Sequence, residues 1–196
     1  MRLAVALFLA LLSTPALAAD TTRPLDLGPA QIGMRINQLR YAALPANTRV
    51  ICGWDEAKPA GVEKTPLVMP GAMATAKVDR CALFADNGKD VWSPRPTMLA
   101  GVPTEFWFLT IEDESGSQRI FQIVGRQPSD NFDKTAAALT ERWGAPVQKA
   151  SYFARWVSGS AEGQMKEDGE GVMLWLFDTK LHALMESRMP RGKAKK

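Results

Sequence analysis

The chain has 196 residues, 46% of them hydrophobic, with 24 Lys and Arg against 21 Asp and Glu for a formal net charge of +3. So near a balance leaves no electrostatic footprint for nucleic acid, which is not an expected partner. The length suits one domain with a real core or two small fused halves, and beyond the N-terminus no stretch reaches the roughly 20 apolar residues of a membrane span.

The N-terminus reads as an export leader. Arg2 supplies a positive end, Leu3 to Leu12 is apolar, and Ala16-Leu17-Ala18 fits a small-x-small cleavage site. A signal peptide over 1–19, cleaved after Ala18 or Ala19, places the mature protein in the periplasm or outside the cell, with an uncleaved anchor as the other reading. No cysteine stands at the cleavage point, so a lipoprotein is not expected.

A globular domain over 20–190 follows. After an irregular lead-in, apolar spacing predicts a helix over 36–43, closed by Pro45 and Asn47. Residues 49–54 read as a strand, and Pro59, Gly61, Pro66, Pro70 and Gly71 make 55–76 a loop. A strand over 77–86 meets Asp86-Asn87-Gly88-Lys89, a type I′ hairpin signal whose central residues take positive φ. Pro94 and Pro96 then break the chain.

The block 104–146 organises the rest. Residues 105–111 form a strand with large apolar groups on both faces, Phe106 and Phe108 one way, Trp107, Leu109 and Ile111 the other. A four-residue loop at 114–117 would set Ile111 opposite Ile120 and Phe108 opposite Ile123. Phe132, Ala136, Leu139 and Trp143 make one stripe of a helix over 131–143, with Ser129 or Asp130 as cap, Gly144 as its left-handed end and Pro146 as its stop. Residues 151–157 read as a strand and the Gly-, Ser- and Glu-rich 158–171 as a mobile exposed loop. A closing hairpin joins 172–177 to 181–185 around Thr179-Lys180. The basic 191–196 reads as a disordered tail, or as a contact with an anionic membrane surface.

Few helices and many hairpins predict an α+β fold: an antiparallel sheet with two main helices packed on one face. Whether it divides into tandem helix-then-strands units, 28–127 and 128–190, stays open.

Cys52 and Cys81 are the only cysteines, and in an oxidising compartment an even pair predicts a disulfide. Two cysteines without a nearby histidine make a poor zinc site, and Asp86, Asn87 and Asp90 lack the closing glutamate of a calcium loop, so neither metal nor cofactor is expected. His182 is the single histidine, and no Gly-x-Ser-x-Gly elbow accompanies it. The acids Asp55-Glu56 and Glu112-Asp113-Glu114 read as wet turns rather than a catalytic carboxylate pair. Among six tryptophans, Trp107, Trp143 and Trp175 lie on apolar faces and read as core. Trp54, Trp92 and Trp156 lie at strand ends or beside loops and, with Arg95 and Arg155, make the candidate binding set, since exposed Trp and Arg anchor interfaces.

Ile32-Gly33-Met34 followed by Ile36-Asn37-Gln38-Leu39 resembles the helix-entry motif of small envelope proteins, the β-lactamase-inhibitor-like and outer-membrane-assembly lipoprotein A families. Leu139, Trp143-Gly144 and Pro146 are similar to the helix end of a second such unit, beginning at Phe132. Arg35 stands where those proteins would carry a Ser or Thr cap, and the lipidation cysteine is missing. The resemblance implies one or two units of helices followed by an antiparallel sheet, and binding to other proteins or to protease and lactamase active sites. The expected function is therefore a non-catalytic exported module that recognises an envelope or secreted protein, as inhibitor or assembly factor. A glycan or cell-wall binder using exposed tryptophans is the second expectation, and a hydrolase using His182 or the acids the third.

Overall fold

The structure, a computed structural model, describes residues 23–190 apart from 28, 66 and 70, with the backbone alone of Lys64. The expected leader over 1–19 and the basic residues 191–196 lie outside the described residues.

Two short strands, β1 (Asp26–Leu27) and β2 (Ala30–Gln31), pair with each other and lead into α1 (Ile36–Arg40). The main sheet holds β3 (Thr48–Cys52), β4 (Val78–Asp86), β5 (Trp92–Pro94), β6 (Thr97–Leu99), β7 (Val102–Glu112) and β8 (Gln118–Gln127). After α3 (Phe132–Trp143) come β9 (Gln148–Ala150), β10 (Phe153–Ser158), β11 (Ala161–Asp168) and β12 (Gly171–Asp178), then α4 (Thr179–Arg188). A further short helix, α2 (Gly71–Thr75), precedes β4. Every ladder between these strands is antiparallel, and the order is β3-β4-β7-β8-β12-β11-β10-β9. The fold is α+β, and the strand order climbs through one run of the chain and descends through the other, with β8 and β12 meeting at the centre.

The largest core lies between α1 and α3 and one face of the sheet, here the helix face. Ile36 and Leu39 of α1 and Phe132, Ala136, Leu139 and Trp143 of α3 pack there against Phe108, Ile123, Leu174 and Leu176. The 132/136/139/143 stripe is thus the buried one. On the far face, Leu67, Val62 and Trp92 cover Ile51, Ala82 and Phe84. Beside them Met69, Ala76 and Met185 of α4 cover Leu109, Ile111 and Phe121. Cys52 and Cys81 stand opposite each other in the β3–β4 ladder and are bonded, with Cα atoms 4.0 Å apart.

Several local expectations change. The α1 helix stops at Arg40, and the Gln38 side chain stands in for a Ser or Thr cap by accepting from the Arg35 N–H at 2.8 Å. Neither Ser129 nor Asp130 caps α3. Asn131 holds the preceding loop by donating to the Pro128 and Ser129 carbonyls, and the Asp130 N–H donates to Glu167. Phe108 does face Ile123, but Ile120 faces Thr110 and Ile111 faces Arg119, because the register slips between Leu109 and Thr110. A bulge there admits one extra residue and turns Phe121 to the far face. The β4–β5 connection spans 87–91, closed by the Asn87 N–H on the Val91 carbonyl, with Gly88 and Asp90 but not Asn87 at positive φ. The two-residue hairpin lies instead at Ala100-Gly101, both at positive φ, between β6 and β7.

Three helices or strands differ from expectation: α2 lies within the expected loop 55–76, β11 replaces an expected loop, and α4 an expected strand. Residues 158–171 hold β11, whose Gly163 and Met165 are buried while Gln164 and Lys166 face outward. The closing hairpin is a strand followed by α4, because the Asp178 carboxylate accepts from the Lys180 and Leu181 N–H groups and starts a helix.

Candidate functional site

Roofs cover the β3–β4 end of the far face and the Leu109, Ile111 and Phe121 level of β7 and β8; Trp107 and Val124 pack at the edges of these roofs, and the outer residues of β12, β11 and β10 beyond them are only partly covered. Val172, Leu174 and Leu176 point into the helix-face core, so alternation sends Met173, Trp175 and Phe177 the other way. Register then defines a row running across five strands: Trp107, Val124, Trp175, Gln164 and Arg155. The next row holds Glu105, Arg126, Met173, Lys166 and Phe153. Trp107, Val124, Trp175, Met173 and Phe153 are all half-buried. Trp175, Met173 and Phe153 join no buried cluster, so their outer surfaces stay available.

The polar end of the first row is fixed in place. Arg155 Nε and NH2 donate to Glu162 Oε1 and Oε2, both at 2.7 Å, and Gln164 Nε2 donates to the same carboxylate at 2.7 Å. Arg155 first, and Gln164 after burial has acted against it, hold the Glu162 carboxyl below its usual range, while Glu162 in turn raises Arg155. Arg126 and Lys166 have no acidic partner within ion-pair distance among the described residues. The site therefore offers two large aromatic rings on a rigid ladder, one guanidinium held in a fork and two unpaired cations. It suits non-covalent recognition.

A pH signature follows from Glu162. Its folded-state pKa is depressed, so the pair stabilises the fold above the unfolded value of about 4.3, and that contribution drains as pH falls through the lower folded value. Glu162→Gln is expected to cost about 1–2 kcal/mol at neutral pH and to flatten the loss of stability between roughly pH 5 and pH 3. Urea midpoints measured across that range check this; equal slopes for the two proteins would refute it.

The five residues singled out from sequence are not one cluster. Trp156 is fully buried on the helix face, its indole N–H bonded to the Gly144 carbonyl at 3.1 Å. Trp92 is 7% exposed and roofs the β3–β4 end of the far face. Neither is an exposed platform. Trp54 is half-buried against the core, with Arg40 stacked over its ring at 5.6 Å. Arg95 is exposed and shares a hollow of about 130 Å³ with Trp107. Arg155 alone of the five sits in the open row. Of the three read as core, Trp143 is fully buried, Trp107 is half-buried against the Trp92 cluster, and Trp175 is half-buried outside every buried cluster.

The remaining chemical groups lie elsewhere. His182 sits on α4 between Phe121 and Phe177, with ring centroids at 6.3 and 5.8 Å and Glu186 3.6 Å from its Nδ1. Asp113 accepts from Ser115, Ser117 and Arg119, which hold its carboxyl far below the usual range and knot the β7–β8 turn. Glu112 pairs with Lys77, and Asp55 with Arg40, so these acids are spoken for by cations rather than by each other. No group of three His, Cys, Asp or Glu among the described residues is placed to hold a metal ion. Neither a protein-family model, nor a curated protein, nor a solved structure matches this chain.

Proposed function

We propose that the chain is an exported, non-catalytic binding module that recognises a protein partner through the open far face. One observation carries this reading: Trp107, Val124 and Trp175 stand side by side, each half-buried, and Trp175 lies outside every covered cluster of the far face. Aromatic and Arg anchors beside a preformed charge pair are what protein interfaces concentrate. Two runs of helix followed by antiparallel strands are also the arrangement implied by the resemblance to β-lactamase-inhibitor-like and assembly-lipoprotein proteins. Export to the periplasm or beyond draws support from the Arg2 to Ala18 leader pattern and from the Cys52–Cys81 bond. No helix among the described residues is long and apolar enough to cross a membrane.

The test is a photocrosslinking amino acid at Gln164, beside Trp175, and at Ala137 on the solvent side of α3, in cells exporting the full chain. A discrete protein adduct from position 164, missing from 137 and weakened about tenfold or more by Trp175→Ala, is expected. Identical adducts from both positions, or none from 164, would overturn the reading. A glycan remains the second reading, because Trp107 and Trp175 lie two strand spacings apart, ~9.5 Å, on one face of the sheet. It requires peptidoglycan fragments to change the fluorescence of the wild-type protein but not of Trp175→Phe.

A further inference from the structure

A cleft of about 520 Å³, remote from the open row, runs along the outer edge of β3. Four consecutive strand residues, Thr48 to Ile51, line it, and Arg40, Asp55 and Lys58 form its walls. The hydrogen-bond phase of β3 is set by the Asp86 N–H on the Asn47 carbonyl and the Gly53 N–H on the Arg80 carbonyl. In an antiparallel ladder this directs the main-chain groups of Arg49 and Ile51 to β4 and those of Thr48, Val50 and Cys52 outward. Cys52 is capped: its N–H donates to Asp55 Oδ2 at 2.9 Å and its carbonyl accepts from the Asp55 N–H at 3.2 Å. The outward main-chain groups of Thr48 and Val50 have no partner among the described residues.

The walls are prepositioned and positive. The Arg40 guanidinium is held by both Asp55 oxygens at 2.7 Å and stacked over Trp54. Arg49 is stacked over Trp92 at 4.9 Å, and Lys58 Nζ donates to the Asp55 carbonyl. Asp55 is the single acid lining the cleft and is already bonded to Arg40; Lys58 also feels the Asp79 carboxylate, while Arg49 has no acidic partner among the described residues. An unpaired strand edge templates an added strand, and cations beside it select the charge of what is added.

We infer that β3 captures an extended acidic segment of another protein by strand addition, with main-chain bonds to Thr48 and Val50 and a carboxylate set between Arg49 and Lys58. A second copy of this chain would bring the same cations face to face, and the chain's own 191–196 is basic, so neither matches. This site stands apart from the open aromatic row and does not depend on it.

The test uses the full mature chain and a short fluorescent peptide of alternating Val and Thr that ends in glutamates. Binding is compared with a lysine-ended twin and with versions N-methylated on one or the other set of alternate amides. The glutamate peptide should bind about tenfold or more tightly than its twin, and one methylation register should abolish binding while the other leaves it intact. Amide exchange at Thr48 and Val50 should slow on saturation, with Tyr152 unchanged as a control. Lys58→Glu, an exposed position that cannot unfold the core, should narrow or reverse the charge preference, and Trp175→Ala should leave it alone. Equal effects of both methylation registers, unaltered exchange at Val50, or no binding by the glutamate peptide would each overturn the assignment.

Discussion

Trp156→Ala is expected to lower the free energy of unfolding by about 3–5 kcal/mol, a large share of the stability of a domain this size. Trp156 is fully buried and meets Trp143 edge to face, with centroids 5.4 Å apart and planes at 81°. Both indoles also do polar work in the core. Trp156 donates to the Gly144 carbonyl just past α3, and Trp143 donates to the Asp26 carbonyl in β1, each at 3.1 Å. The pair therefore ties the end of α3 to β10 on one side and to the lead-in strand on the other. Truncation removes the ring, opens a cavity and orphans the Gly144 carbonyl. Trp156→Phe separates these effects, since it keeps most of the ring and should cost about 1–3 kcal/mol through the orphaned acceptor. Gly163→Ala probes the same spot from below, where an added Cβ would sit 2.9 Å from the Trp143 ring. Chemical unfolding followed by circular dichroism measures all three. A loss under about 1 kcal/mol for Trp156→Ala would mean the indole is not the keystone of this core.

Removing the disulfide is expected to cost about 2–5 kcal/mol; closing a loop between residues 29 apart contributes about 3.5 kcal/mol through unfolded-chain entropy. The bond spans directly opposed residues in the ladder between an edge strand and its neighbour, and both cysteines are wholly buried. Its loss should be felt first in β3, which has a neighbour on one side only. Cys52→Ala with Cys81→Ala should lower the urea midpoint and raise amide exchange in β3 more than in β8. The oxidised, denatured wild type should show no maleimide-reactive thiol. Two reactive thiols, or a midpoint unchanged by the double substitution, would remove the bond from the account of stability.

The central hairpin and α3 were legible because each carries one unmistakable period: alternating β-formers from Glu105, and apolar residues at 132, 136, 139 and 143. β11 was hidden because its inward positions are Ala161, Gly163 and Met165. Gly163 is small for a reason that only the Trp143 ring supplies, and that ring comes from another element. α4 was hidden because Asp178 acts as a cap only once β12 ends beside it. The tryptophans were the hardest. A strand apolar on both faces states which residues share a face, but the lid that decides exposure arrives from 54–76 and from α4. Trp175 escaped that lid, Trp107 meets its edge, and Trp92 became part of it.

The meeting of β8 with β12 has one more consequence. Val124 and Trp175 are register partners there, so the aromatic row is assembled half from the earlier run of the chain and half from the later. Most other ladders join strands that follow closely in sequence, whereas this seam closes a long loop and is entropically the costlier one to zip. A molecule with only one run in place therefore lacks part of the row. If the row binds a partner as proposed, completion of folding itself acts as the licence to bind.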